Sequence, residues 1–292
     1  MAAPSDKRTP EFVFAEYEKT WGPVLEFVRE RIASGETNIQ RLINATQERV
    51  VRGTTEHRKK VFESTKKARD SDGYFFDGAL ITENKCDAET SSIILEILRV
   101  RQVVKACDAD TKRIIELGSG WARPLLRVWS FGGPADAEYV AAEINPVGRE
   151  ITALLGQVQG APLVTTRHFD YYAADFSDLA AVPTVAFSSY SVEQIPHVTR
   201  SMMEAIAAIP GLTACLHFEP IGWQMEPSHE PFDTRHRELA IRRDINQNLY
   251  SLLREMERDG SIAIDACVKN FVGVTTANPA SFIQWHPRLG ET

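Results

Sequence analysis

The stretch from Lys112 to Leu126 constrains this chain more than any other. A short apolar run, Ile114-Ile115-Glu116-Leu117, stops abruptly at Gly118-Ser119-Gly120 and gives way to a helical pattern with Pro124 in its first turn. An apolar run of that length without alternation reads as a parallel strand buried on both faces. Proline early in a helix costs no hydrogen bond, and glycines at the turn allow backbone dihedrals closed to other residues. Such a strand, tight turn and helix must be repeated alongside itself to bury both faces of the strand.

The rest of the chain supplies the repeats. A helix is expected from about 88 to 107, then helix 124–131, strand 138–143, helix 146–158 and strand 163–169. A short helix near 175–181, strand 184–188, helix 195–208, strand 212–219 and one long helix 233–258 follow. Alternation of this kind implies a parallel sheet covered on both faces. The ending differs. Residues 261–274 and 280–286 are two extended runs joined by Thr275-Thr-Ala-Asn-Pro279, which reads as a hairpin and makes at least one terminal strand antiparallel. The fold class is therefore α/β: a doubly wound, mostly parallel sheet ending in an antiparallel hairpin, with an N-terminal helical region.

That region, residues 1–86, precedes a catalytic unit of 87–292. Phe14, Tyr17, Trp21, Leu25, Val28 and Ile32 recur on one helix face, and Gly22-Pro23 should kink or break the helix. A second helix is expected after a Thr37/Gln40 capping box. The basic segment 56–70 reads as a solvated helix face. Ser71 to Gly78 is a turn-rich link with three aromatic residues, of which Tyr74 is a candidate border of the active site because aromatic faces attract cations such as a sulfonium. The helical region reads as a lid, a substrate element or a homodimer element.

Composition narrows the function classes. With 33 basic and 40 acidic residues, net charge −7, the chain lacks the overall basic character of a nucleic-acid binder. Its four cysteines form no C-x-x-C pair, and Cys215 and Cys267 fall in expected core strands, so a reduced, cytoplasmic setting is expected. No signal peptide and no membrane span is visible in the sequence.

Two cofactor classes use a glycine turn of this kind. A dinucleotide site wants a small third glycine where this chain has Arg123, and an acid two residues before the first glycine would repel pyrophosphate. Glu116 suits a ligand with an ammonium group instead. The pattern Glu116-x-Gly118-x-Gly120 with Ala122 resembles the first motif of class I S-adenosylmethionine-dependent methyltransferases of the small-molecule type, over roughly Asp87 to the C-terminus. The resemblance implies S-adenosylmethionine as cofactor, with Glu116, Gly118, Ser119, Gly120 and Trp121 around its methionyl end. Glu143, about 25 residues beyond Gly118, suits a carboxylate on the ribose hydroxyls and matches the family's second motif; Asn145 beside it reads as an N-cap, with a cofactor contact as the other reading. Asp170 is a candidate for the adenine amino group or a turn-stabilising acid. Ser188 ends the strand that lies under the methionyl group in many family members.

The acceptor side is read from the strand ends beyond. Tyr190, Glu193 and Gln194 cluster where a substrate would lie. His229, in the loop after the 212–219 strand, is the candidate general base because imidazole titrates near neutral pH, with His236 a weaker one. Trp223 would wall the acceptor pocket. Glu193 and His197 are spaced for one helix face, which with His217 or His229 is too thin a case for a metal, and none is assigned. The expected activity is methyl transfer to a small organic acceptor, oxygen favoured over nitrogen. The rivals are a methyltransferase acting on protein or RNA, a dehydrogenase, and a cofactor-binding partner without turnover.

Overall fold

The computed structural model describes residues 10–52, 73–82, 86, 88–225, 231–274 and 279–288. Two helices open it, α1 (Pro10–Ala33) and α2 (Ile39–Arg52), followed by two short strands, β1 (Tyr74–Phe76) and β2 (Ala79–Ile81). The alternating part begins with α3 (Ala88–Ala106), β3 (Arg113–Leu117), α4 (Arg123–Ser130), β4 (Glu138–Glu143), α5 (Pro146–Gly156) and β5 (Val164–His168). It continues through β6 (Thr184–Ser189), α6 (Arg200–Ala207), β7 (Leu212–Glu219), α7 (Pro231–Arg243) and α8 (Leu249–Arg258). The hairpin β8 (Ile262–Val274) and β9 (Ala280–Pro287) closes it.

The strands form one nine-stranded sheet in the order β2-β1-β8-β9-β7-β6-β3-β4-β5. From β7 to β5 all pairs are parallel, and β9 enters antiparallel between β7 and β8. The doubly wound sheet closed by an antiparallel hairpin is the one expected from the sequence. The chain leaves β3 towards β4 on one side and returns to β6 on the other, so the switch in strand order falls beside β3, where open sheets of this kind bind ligands.

Burial follows from strand alternation. Ile115 and Leu117 face a core completed by Met203, Ile206, Leu253 and Met256, whereas Ile114 faces Val100, Val103, Leu125 and Val128. A third core belongs to the N-terminal helices: Trp21, Val28, Leu42 and Ile43 pack on Leu126, Ile151 and Leu155 of α4 and α5. Polar ties add to it. Gln40 donates to Ser130 at 2.6 Å, and the Asn145 side chain donates to the Phe14 carbonyl at 3.3 Å.

Several local expectations are corrected. Helix α1 runs on through Pro23, because the burial of Val24, Leu25 and Val28 on one continuous face outweighs the hydrogen bond that proline removes. The cap of α2 is Asn38, whose side chain accepts the Arg41 amide at 3.0 Å, rather than Thr37. Segment 71–78 contributes β1, which pairs antiparallel with β8. Segment 175–181 forms no helix; a 3-10 turn at Tyr171–Ala173 precedes it instead. The helix expected over 195–208 shortens to α6, capped by Thr199. The long helix splits at Asp244, which takes a left-handed φ of 54°, and Asn246 then bonds to the Ile195 carbonyl at 2.8 Å. Cys267 is exposed; it lies on a β8 position that alternates away from the core. The basic segment 56–70 lies outside the described residues.

Candidate active site

β3 is wholly buried, and its chain can leave the sheet only by turning sharply. Gly118, Gly120 and Ala122 all take left-handed φ values, 68°, 58° and 58°. The Gly118 and Ser119 amides donate to the Ala142 carbonyl of β4 at 2.8 and 3.1 Å, which locks the turn to the next strand. At Gly118 there is no room for a side chain: a Cβ would lie 2.5 Å from the Ser191 Cβ. The turn, the neighbouring strand ends and the N-terminal helices together enclose a cavity of about 300 Å³.

Two acids stand at adjacent strand ends on that cavity. Glu116 is 1% exposed, and one of its oxygens accepts the Leu125 amide of α4 at 3.0 Å. Burial pushes its carboxyl up to about 8, while the nearby Arg99 guanidinium and the Leu125 amide pull the other way. Glu143 is 5% exposed. Its two oxygens accept the Gly120 and Asn145 amides, each at 2.8 Å. Burial raises its pKa, and the two amides and Arg149 oppose that rise. Each carboxylate oxygen has two lone-pair sites, so both acids keep acceptor capacity towards the cavity.

Beside Glu116 lies a knot of buried charge. Glu96 pairs with both Arg123 and Arg127, Arg99 donates to the Ser189 hydroxyl at 2.7 Å, and Arg127 reaches Gln40 and Asn44 of α2. Arg123 lines the cavity with Glu116. A guanidinium and a carboxylate side by side are the complement of an amino-acid head group, whose ammonium and carboxylate carry the opposite signs.

Of the residues singled out from the sequence, Glu116, Gly118, Ser119, Gly120, Trp121, Glu143, Asp170, Tyr190 and Gln194 line this one cavity. Asp170 also accepts the Tyr172 amide at 2.9 Å. Tyr190 holds a left-handed φ of 52°, and burial raises its phenol pKa. Asn145 caps α5 by accepting the Val147 amide at 2.8 Å and is not on the cavity wall. Ser188 lies behind the wall, between His217 and Glu219. The Glu193 side chain accepts from Gln194 at 2.9 Å within a 3-10 turn, so Glu193 and His197 do not share a helix face. Among the described residues no three His, Cys, Asp or Glu gather as a metal site.

Trp223 and Tyr74 are not among the lining residues. Trp223 sits in a 3-10 turn after β7. Tyr74 lies on β1, five strands along the sheet from β3, roughly 24 Å at the usual spacing. His229 lies outside the described residues. His236 is buried on α7, and burial pushes its imidazole down to about 4.

The N-terminal region reads from the sequence as a lid, substrate or dimer element, but the residues of it that reach the cavity are not ones the sequence singles out for the site. Tyr17, Trp21 and Gln47 all line the cavity, and the rings of Tyr17 and Trp21 lie 4.6 Å apart. Trp21 rests on two glycines: a Cβ at Gly120 would lie 3.2 Å from its ring, and one at Gly148 2.8 Å from it. The helical period had already put Trp21 on an apolar face, but periodicity does not say what that face covers.

No family model matches the chain, and no curated protein matches it. Solved structures do. The magnesium protoporphyrin IX methyltransferase from Synechocystis PCC 6803 with bound SAH is 11% identical, with a TM-score of 0.47, over 68% of this chain and 84% of that one. A mitomycin 7-O-methyltransferase is 12% identical, with a TM-score of 0.46, over 97% and 73%. The SAH-bound methyltransferase of Podospora anserina is 10% identical, with a TM-score of 0.46, over 99% of both chains.

Proposed function

We propose that this protein is an S-adenosylmethionine-dependent methyltransferase that moves a methyl group to a small organic acceptor, with oxygen favoured over nitrogen. The observation that carries the reading is that Glu116, the penultimate residue of β3, and Glu143, the last of the neighbouring β4, both line one cavity at the glycine turn. The residues present fit such a donor. Glu116 with Arg123 suits the ammonium and carboxylate of a methionyl group, and the spare acceptor sites of Glu143 suit two ribose hydroxyls. Asp170, with Tyr171 and Tyr172 beside it, suits an adenine. The bare Cα of Gly118 lets Ser191 close directly against the turn, so the two walls meet there.

S-adenosylmethionine supplies a methyl group already activated on a sulfonium sulfur, so the protein has mainly to align, enclose and exclude water. Glu143 and the glycine turn orient the nucleoside. Trp21, Trp121 and Tyr190 shield the reacting end, and their faces favour a cation. For an acceptor hydroxyl of high pKa, His229 is the proposed base; a carboxylate or neutral amine needs none. The acidic balance of the chain supports a small acceptor over a nucleic acid.

Calorimetry with S-adenosylhomocysteine tests the reading. Binding that is weakened ~10-fold or more in Glu143→Ala is expected, and absence of binding by the intact chain overturns the reading.

A further inference from the structure

Behind the cavity wall lies a polar cluster that the proposed activity does not use. Glu219 ends β7 and is completely buried, yet among the described residues no lysine or arginine pairs with it. Its partners are backbone amides. The Ser191 and Val192 amides donate to Oε1, both at 3.2 Å, and the Glu193 amide donates to Oε2 at 3.1 Å. The Ser188 hydroxyl donates to Oε1 at 2.7 Å. The Tyr190 amide donates to the Phe218 carbonyl at 3.1 Å. Four consecutive amides, 190 to 193, are thereby tied to the last two residues of β7. Burial holds the His217 imidazole neutral, down to about 3; its Nδ1 lies 2.8 Å from the Ser188 oxygen and donates to it, since the hydroxyl proton is already committed to Glu219. Every group around the carboxylate is a donor, the arrangement that successive amides make around an anion.

The clamped segment is also joined to the glycine turn. The Ser191 hydroxyl donates to the Leu117 carbonyl at 2.7 Å, and the Tyr171 phenol reaches the same carbonyl at 3.2 Å. The Ser191 Cβ fills the space that a side chain on Gly118 would need. Ser189, Tyr190 and Ser191 form one wall of the cavity and the glycine turn another, so the spacing of the two walls depends on where this segment is held.

We propose that Glu219 is a positioning residue: from outside the cavity its carboxylate clamps 188–193 to the end of β7 and thereby sets the gap between the Tyr190 wall and the glycine turn. Burial raises the Glu219 carboxyl to about 7, and the Ser188 hydroxyl and the three amides oppose that rise, so the clamp is complete when the group is ionised. Glutamine has the same shape, but its NH2 would face an amide N–H on one side, and donors repel donors. The ligand readout of this inference rests on the donor reading given above; the backbone readout does not.

The test is Glu219→Gln in the full chain, followed by calorimetry with S-adenosylhomocysteine and by hydrogen exchange of peptides spanning 188–195, β3 and β4. The expected result is an affinity loss of ~10-fold, the size that goes with losing charged hydrogen bonds. Faster exchange should be confined to the amides of 191–193, with β3 and β4 unchanged. Affinity within twofold of the parent, or faster exchange spread evenly over β3 and β4, overturns the inference, since a side chain that merely fills the core would loosen all of them together. If Glu219→Gln fails to fold, Glu219→Asp serves; it keeps the charge but withdraws it by one methylene, and the same local exchange signature is expected. Should the parent chain not bind S-adenosylhomocysteine, the donor reading fails, while the exchange pattern still decides whether Glu219 is the clamp.

Discussion

The Gly120 amide donates to the Glu143 carboxylate at 2.8 Å across 23 residues of chain, so the turn after β3 and the acid ending β4 are a single unit. Truncating Glu143 removes the acceptor for Gly120 and for Asn145 together with the proposed ribose contact. Glu143→Ala is expected to weaken S-adenosylmethionine binding by ~10-fold or more, the range for lost charged hydrogen bonds. Titration calorimetry reads this directly, and unchanged affinity would remove Glu143 from the donor site.

Gly118 combines a left-handed φ with a contact that leaves no space for a Cβ. Gly118→Ala should cost about 1–3 kcal/mol, the range for backbone strain of this kind, and should push Ser191 away from the turn. A thermal melt measures the first effect and the donor affinity the second. A variant as stable as the parent would mean that the turn can relax.

Glu116 gives a pH dependence whose sign can be worked out. In an unfolded chain a glutamate titrates near ~4.3, whereas burial raises Glu116 to about 8 in the fold. Between those values the folded protein holds a proton that the unfolded chain has lost. The contribution is complete below ~4.3 and is lost as pH rises to about 8. Glu116→Gln should therefore flatten the decline in melting temperature over that window. A ligand ammonium favours the ionised form, so donor affinity in the parent should rise with pH up to about 8 and binding should release a proton, seen as a buffer-dependent heat. No buffer dependence would place the ammonium elsewhere.

His229→Ala should depress turnover of a hydroxyl acceptor by 10²-fold or more, the usual weight of a general base, and leave donor affinity alone. Steady-state rates beside a binding isotherm separate the two. Full activity would hand the proton to another group or to solvent.

The parallel layer and its closing hairpin were legible because buried strands and glycine turns write themselves into local sequence. Glu143 stands out because an acid closing an apolar strand must find partners, and Glu116 because an acid two residues before the glycine turn suits an ammonium rather than a pyrophosphate. Other features depend on tertiary contacts that no local pattern carries. Pro23 reads as a break, yet α1 continues because its buried face spans the proline. Asp244 and Asn246 divide what reads as one long helix, since Asn246 is needed at the Ile195 carbonyl. Arg99 looks like any helix residue until α3 is laid beside Ser189 and Glu116. The chemistry of Tyr74 and Trp223 suits a site, yet neither lines the cavity, and the sheet order places Tyr74 far along the layer.

The resting of Trp21 on Gly120 and Gly148 makes α1 part of the cavity wall rather than a neighbour of it. Lifting α1 off the layer would bare both glycines to solvent and open the cavity on that side in one movement.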